Sequence, residues 1–315
     1  MEHTSSTDKN KLLTYAGLIF VIIIWGIYPL IALRFYKYYS PTIRIAFSCL
    51  VCAIALLIIS RHKLNLLNKT YFMVAIPTGF FLAVADILQK IGLLYTTPTH
   101  YAFLENLSCV VVPILLIFFV KKKPSFLTIA AALLCLLSSF VLTGVTADSG
   151  NISPIGDTLC ALAGVFYGIN IAGTGAFAKK LDAPLYLMIQ MFTEVIISSV
   201  GAVVFDATGI EKIKFSFDLR LILACIVIAF TVSTLCWLIR TKAMKHVDAS
   251  VVAVMMPFSS IITTIVSIFV GNDTLNANLA IGVVLGLIAI ILSGLGDRKK
   301  EIQRAKPSVE NFAPF

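Results

Sequence analysis

Residues 98–120 read PTHYAFLENLSCVVVPILLIFFV and run directly into Lys121, Lys122 and Lys123. Apart from His100, Glu105 is the one acidic or basic side chain of the run. About 20 apolar residues in a helix cross the roughly 30 Å hydrocarbon core of a bilayer, so this run is long enough to span one. It shows no broad polar stripe of the kind a soluble core helix turns to water. Nine further runs share the pattern, and the chain reads as ten helices at 12–33, 41–60, 71–94, 98–120, 125–146, 155–178, 184–205, 219–244, 249–270 and 277–295. Composition agrees: 59% of residues are hydrophobic and 13% charged, against about 45–50% and 25% in soluble domains. Ten spans in 315 residues leave room for short connections only, which excludes an appended ATPase or soluble catalytic domain. The expected fold class is an all-α polytopic membrane protein.

A net charge of +9 would suggest a nucleic-acid partner in a soluble chain. Here its distribution has a membrane explanation, and no nucleic-acid partner is expected. One set of alternate connections holds Arg61, Lys63 and Lys69, then Lys121 to Lys123, Lys179 and Lys180, Arg240, Lys242 and Lys245, and the tail from Arg298 to Lys306. The other set holds Arg34, Lys37, Lys212, Lys214 and Arg220. Basic residues accumulate on the cytoplasmic side, so both termini are expected inside, most simply in the plasma membrane. The first run is too long for a signal-peptide core and no small-residue cleavage site follows it. The seven cysteines lie inside apolar runs, and the single CxxC spacing, Cys49 to Cys52, sits within a membrane run with no second cysteine pair or histidine beside it, so neither a disulfide framework nor a metal site is expected.

The halves repeat. One register pairs Tyr95 with His246, Cys109 with Ser260 and Ala131 with Gly282. A second pairs Trp25-Gly26 with Tyr167-Gly168 and Tyr28 with Asn170, and Pro41 and Pro184 each open the second helix of a half. Five spans per half put the second half in the membrane upside down, the inverted repeat on which secondary transporters alternate access. The expected division is 1–146, 147–297 and a basic cytoplasmic tail at 298–315.

The stretch from Ile87 to Thr97, followed by Ala102-Phe103-Leu104 and Val110-Val111-Val112-Pro113, resembles the third and fourth helices of EamA-type proteins of the drug/metabolite transporter superfamily. Trp25-Gly26, Arg44 and Met256-Pro257 are similar to landmarks of the same family. The resemblance implies two inverted five-helix units around a central cavity lined by helices one, three and four and their repeat mates. It also implies secondary transport of a small organic solute. Lys121 to Lys123 stand where the family often has an acidic residue, and Glu105-Asn106 is a second departure.

Ionisable groups inside a span are costly unless they face water, a partner or a substrate. Five qualify: Arg44, Asp86, Lys90, Glu105 and Glu194. Asp86 and Lys90 are four apart on one helix face, and read either as a self-neutralising pair or as a pair that a substrate charge splits. Glu105 shares a stripe with Tyr101, Ser108 and Val112. It reads either as a group that binds a cation or carries a proton across, or as a structural partner of Arg44 or Lys90. Glu194 and Gln190 are expected to pack between helices, and Arg44 to snorkel to the outer interface. Trp25, Tyr28, Tyr167, Asn170 and Trp237 are expected to face the central space with Tyr101. Aromatic faces, Trp above all, attract ammonium groups. Pro29, Pro77, Pro113 and Pro257 are expected to bend their spans, and the Gly164/Gly168 and Gly282/Gly286 pairs to permit close packing.

These features point to a secondary transporter for a small nitrogen-containing metabolite, an amino acid, an amine or a quaternary ammonium compound. Proton coupling through Glu105, or the Asp86–Lys90 pair, stays open. An exchanger or exporter of small organic anions is the alternative, disfavoured because only Lys90 reads as a mid-membrane cation. No His/Cys grouping and no phosphate-binding GxxxxGK[ST] run occurs, so neither an enzyme nor a cofactor is expected. The expected partners are the bilayer and the solute, with a proton where transport is proton-coupled, and the chain a monomer or weak homodimer.

Overall fold

The computed structural model of the chain describes residues 2–121, 125–143 and 154–270, with parts of 277–295. Lys122, Lys123, residues 271–276 and the basic tail at 298–315 lie outside the described residues. Helices run in the order α1 (Glu2–Phe35), α2 (Pro41–Ser60), α3 (Lys69–Gly92), α4 (Pro98–Leu104), α5 (Ser108–Val120), α6 (Phe126–Thr143), α7 (Pro154–Phe177), α8 (Ala183–Thr208), α9 (Leu219–Ile228), α10 (Trp237–Ala243), α11 (Ala249–Met255) and α12 (Phe258–Phe269). Among the described residues, eight helical stretches are long and apolar enough to cross a membrane, and Phe126–Ser138 and Ala280–Ala289 are shorter apolar helices.

Local chemistry sets the helix ends. Prolines stand in the first turns of α2, α4 and α8, where the missing N–H costs nothing and the fixed φ suits the helix. Side chains of Asn68, Thr97, Asp182 and Asp218 cap α3, α4, α8 and α9 by accepting from backbone N–H groups of Thr70, His100, Leu185 and Arg220. Gly209 ends α8 at φ 77°, a left-handed conformation that a side chain disfavours. Beyond it, Glu211 reaches back to the start of α2, accepting from Thr42 N (3.1 Å) and Thr42 Oγ1 (2.7 Å).

Three spans read as continuous are interrupted. The fourth tightens into a 3₁₀ turn at Glu105–Leu107 between α4 and α5. The eighth widens into π-helix over Ala229–Cys236 between α9 and α10. The ninth breaks at Met256-Pro257 between α11 and α12, as its proline predicts. The wide turn frees carbonyls, and side chains from other spans take them: Trp25 Nε1 donates to Val232 O and Cys52 Sγ to Ser233 O, both at 3.3 Å.

Polarity is arranged for lipid. Phe118, Ile196, Val203, Val227 and Phe269 are exposed, while Gln89, Lys90, Asn170, Gln190, Glu194 and Arg240 are buried. Inside, Gln190 Nε2 donates to the hydroxyls of Thr78 and Tyr186 (2.9 Å each), tying α8 to α3. The main interhelical contacts are α2 on α8, α3 on α7 and α8, α5 on α7, and α1 on α12. Glycines bring two of these pairs together. A Cβ on Gly26 would lie 2.5 Å from Ile262 Cβ and 2.7 Å from Ser259 O. A Cβ on Gly168 would lie 2.7 Å from Val111 and 3.4 Å from the Ser108 Cα.

Candidate functional site

A cavity of about 70 Å³ opens where α1, α3, the α4–α5 span, α7, the α9–α10 span and the α11–α12 span converge. A water-sized probe needs roughly 10–15 Å³ of such volume, so the space suits a small solute.

Its α3 wall is a hydrogen-bonded cluster. Lys90 Nζ donates to Asp86 Oδ1 and Gln89 Oε1, both at 2.9 Å. The Tyr167 hydroxyl from α7 lies against Asp86 and 2.8 Å from Gln89 Oε1. Gln89 Nε2 donates to Glu105 Oε2 at 2.6 Å, carrying the network onto the tightened turn of the fourth span. That turn sits close to α7 because residue 164 is glycine: a Cβ there would lie 2.7 Å from Leu104 O and 2.9 Å from Glu105 O.

The facing wall is built differently. Trp25 and Trp237 pack with ring centroids 5.1 Å apart. The Arg240 guanidinium lies 4.5 Å from the Trp237 ring and 5.8 Å from that of Trp25. Arg240 Nη2 donates to Asn170 Oδ1 at 3.4 Å, and Asn170 Nδ2 in turn donates to Thr78 O at 2.9 Å. Met256, Ser259 and Thr263 close this side.

Eight of the residues singled out from the sequence line this cavity: Trp25, Tyr28, Asp86, Lys90, Tyr101, Glu105, Tyr167 and Trp237. Asn170 does not. It is buried behind the wall, where it orients Arg240. Arg44 does not snorkel outward: it is 4% exposed, with its guanidinium 4.9 Å from the Tyr28 ring and 5.5 Å from that of Tyr36. The attraction of a cation for aromatic faces holds it inside. Glu194 is buried beside Asp86 and Cys49, so it backs the α3 wall from α8. Its expected companion Gln190 belongs to the separate Thr78–Tyr186 cluster. No group of three or more His, Cys, Asp or Glu side chains that could hold a metal occurs among the described residues.

Sequence reading missed Arg240 and Gln89. Arg240 was counted with the basic residues of the cytoplasmic side, yet it is 3% exposed. Its spacing from Trp237 was the available signal, since residues three apart share a helix face.

The aromatic faces are also less free than expected. Arg240 covers the Trp pair, and Arg44 and Lys90 approach Tyr28 (Lys90 at 5.9 Å). The protein's own cations occupy the surfaces that would otherwise attract a substrate ammonium.

Comparison with known proteins fits this architecture. An uncharacterized transporter of Archaeoglobus fulgidus is 24% identical over 221 residues, 69% of this chain and 68% of that protein. A solved protein crystal structure shares the fold with a TM-score of 0.72 at 14% identity, covering 91% of this chain and 98% of the other. The model of the EamA-like transporter family matches residues 12–144 and 154–295. These matches and the apolar helices make the chain a multi-pass integral membrane protein and point to a transporter, and it belongs to the EamA-like transporter family.

Proposed function

We propose that this chain is a secondary active transporter that moves a small nitrogen-containing metabolite through the central cavity by alternating access. Its proposed architecture is ten spans in two inverted five-helix repeats, 1–146 and 147–297, with the tail at 298–315 and both termini in the cytoplasm. Plasma membrane is the proposed location, and a monomer or weak homodimer the proposed assembly. Phe126–Ser138 and Ala280–Ala289 serve as the fifth and tenth spans.

The observation that carries the reading is the pairing of cavity residues between halves. The register that sets Cys109 on Ser260 also sets Asp86 on Trp237, Gln89 on Arg240, Glu105 on Met256 and Ser108 on Ser259. The register that sets Trp25 on Tyr167 also sets Pro29 on Ile171. All ten of these last-named lining positions face one cavity. Contacts repeat as well: Trp25 against Trp237 mirrors Tyr167 against Asp86, and Gly26 on Ser259 and Ile262 mirrors Gly168 on Ser108 and Val111. Repeated contacts around one small polar cavity support exchange between two related conformations. The family model's two matches, one per half, support the repeat further.

Within the cavity Glu105 is the proposed ammonium-binding group, because its hydrogen-bond partner is the neutral Gln89 amide. Asp86 and Lys90 form the adjoining charge pair, and a proton moving on or off Asp86 or Glu105 would couple transport to a pH gradient. The alternative, exchange of small organic anions, gains weight from Arg240, a buried cation on the facing wall.

Proteoliposomes holding the purified protein, loaded with one member of a panel of labelled amines, amino acids and carboxylates, test this. Saturable uptake accelerated by unlabelled solute on the opposite side is expected, with Glu105→Gln reducing it. Flux that rises linearly with concentration and shows no counterflow refutes alternating access.

A further inference from the structure

Asp86 and Lys90 neutralise each other at 2.9 Å, which leaves two charges facing the cavity, on Glu105 and Arg240, with no ion-pair partner in contact. No basic nitrogen lies within 4.0 Å of the Glu105 carboxylate, and no carboxylate within 4.0 Å of Arg240, among the described residues. Arg240 donates to one neutral amide oxygen and rests on two rings, and its buried Nε has no hydrogen-bond partner. A guanidinium has five donors, and a buried charge without its opposite is costly. An anion arriving in the cavity would relieve that cost, and planar carboxylates match the guanidinium fork.

We infer that Arg240 is the anion-binding group of the cavity, and that the solute is a small zwitterion held with its carboxylate on Arg240 and its ammonium on Glu105. This rests on the transport reading and narrows it. The two tryptophan faces that would cage a simple quaternary ammonium ion are already covered by Arg240. A lone cation would therefore meet Glu105 but also the unneutralised guanidinium, and a lone anion would meet the reverse. A zwitterion satisfies both and adds no net charge to the low-dielectric site. Asn170 fixes the guanidinium from behind the wall, which makes it a positioning residue.

The chain has two tryptophans, and both line the cavity, so tryptophan fluorescence, excited selectively over tyrosine, reports from the cavity. The test titrates purified protein with matched probes: glycine betaine against choline, and γ-aminobutyrate against butylamine and butyrate. The same labelled probes are followed into proteoliposomes. Expected is a saturable fluorescence change and uptake with at least one zwitterion, and binding at least tenfold weaker for its matched cation and anion. Arg240→Gln should weaken the zwitterion roughly ten- to a hundredfold, the range for a lost charge-assisted hydrogen bond, with Arg240→Lys between.

Choline or butylamine binding as tightly as its zwitterion overturns the inference while leaving transport intact. So does butyrate binding as tightly as γ-aminobutyrate. The wild-type comparison stands even if Arg240→Gln misfolds. A panel in which no probe alters fluorescence or crosses the membrane refutes the transport of nitrogen-containing solutes itself.

Discussion

Replacing Gly26 by alanine adds one methyl group where there is no room. The new Cβ would sit 2.5 Å from Ile262 Cβ, 2.7 Å from Ile262 Cγ2 and 2.7 Å from Ser259 O. Carbon atoms rest at about 3.5–4.0 Å, so α1 and α12 must separate by about 1 Å. Ser259 O is main chain and Ile262 Cβ is attached directly to it, so neither contact can be relieved by a flexible side-chain end. Overpacking of this kind costs about 1–3 kcal/mol, against a gain of up to about 1 kcal/mol from alanine's helix propensity. The expected net loss lowers the apparent melting temperature in detergent by several degrees, at about 2–4 °C per kcal/mol. Scan rate must be fixed, because unfolding of such proteins is commonly irreversible. Gly201 supplies the control: a Cβ there meets Ile87 Cδ1 at 3.5 Å, an ordinary contact, so Gly201→Ala should match or exceed wild type. Gly168→Ala, with Val111 at 2.7 Å, should behave like Gly26→Ala. Because α1 carries Trp25 and Tyr28, its displacement should also change the tryptophan emission. If Gly26→Ala melts at or above the wild-type temperature, the close α1–α12 seam is wrong.

Other outcomes follow from the same geometry. Glu105→Gln keeps a group that Gln89 can bond but removes the charge, so binding of ammonium-bearing probes should fall at least roughly tenfold; unchanged titrations would remove Glu105 from the site. Asp86→Asn strands the buried Lys90 ammonium and should cost about 3–5 kcal/mol, whereas the Asp86→Leu/Lys90→Met double variant should recover much of it; melting curves in which the double variant is no better than the single would refute the pair. Burial holds the Glu211 carboxyl above the usual carboxylate range, so the folded state favours its protonated form. Its stabilising effect is present below the unfolded value of about 4.3 and is lost as pH rises through the folded value. Glu211→Gln should therefore flatten the melting temperature between pH 4 and pH 7, and an undiminished slope would place the titration elsewhere.

Much of the fold was legible because lipid imposes a simple rule: long apolar runs ended by charge. The same rule misled for Arg240. Near the end of an apolar run a basic residue looks like a juxtamembrane charge, and only the tryptophans from two separate spans explain its burial. Arg44 failed for the same reason, since its aromatic partners come partly from another helix. The cavity aromatics were legible because Trp25 stands too deep in its span for an interfacial belt. The 3₁₀ turn at Glu105 and the π turn at Ala229–Cys236 left no local trace: neither stretch contains proline or glycine. The first sits where Gly164 brings α7 against the carbonyls of Leu104 and Glu105, a contact between distant parts of the chain.

The two glycine seams bear on how such a molecule can move. Gly26 fastens α1 to α12, and Gly168 fastens α7 to α5. Each seam joins a helix from one half of the chain to a helix from the other. Sequence halves and mechanical bodies are then different partitions of the same protein. A rocking motion that separated residues 1–146 from 147–297 would tear both seams, whereas one that slid the α1–α12 pair past the α5–α7 pair would leave both whole. The cavity lies between those pairs, so crosslinks within a pair should be silent and crosslinks between pairs should arrest transport.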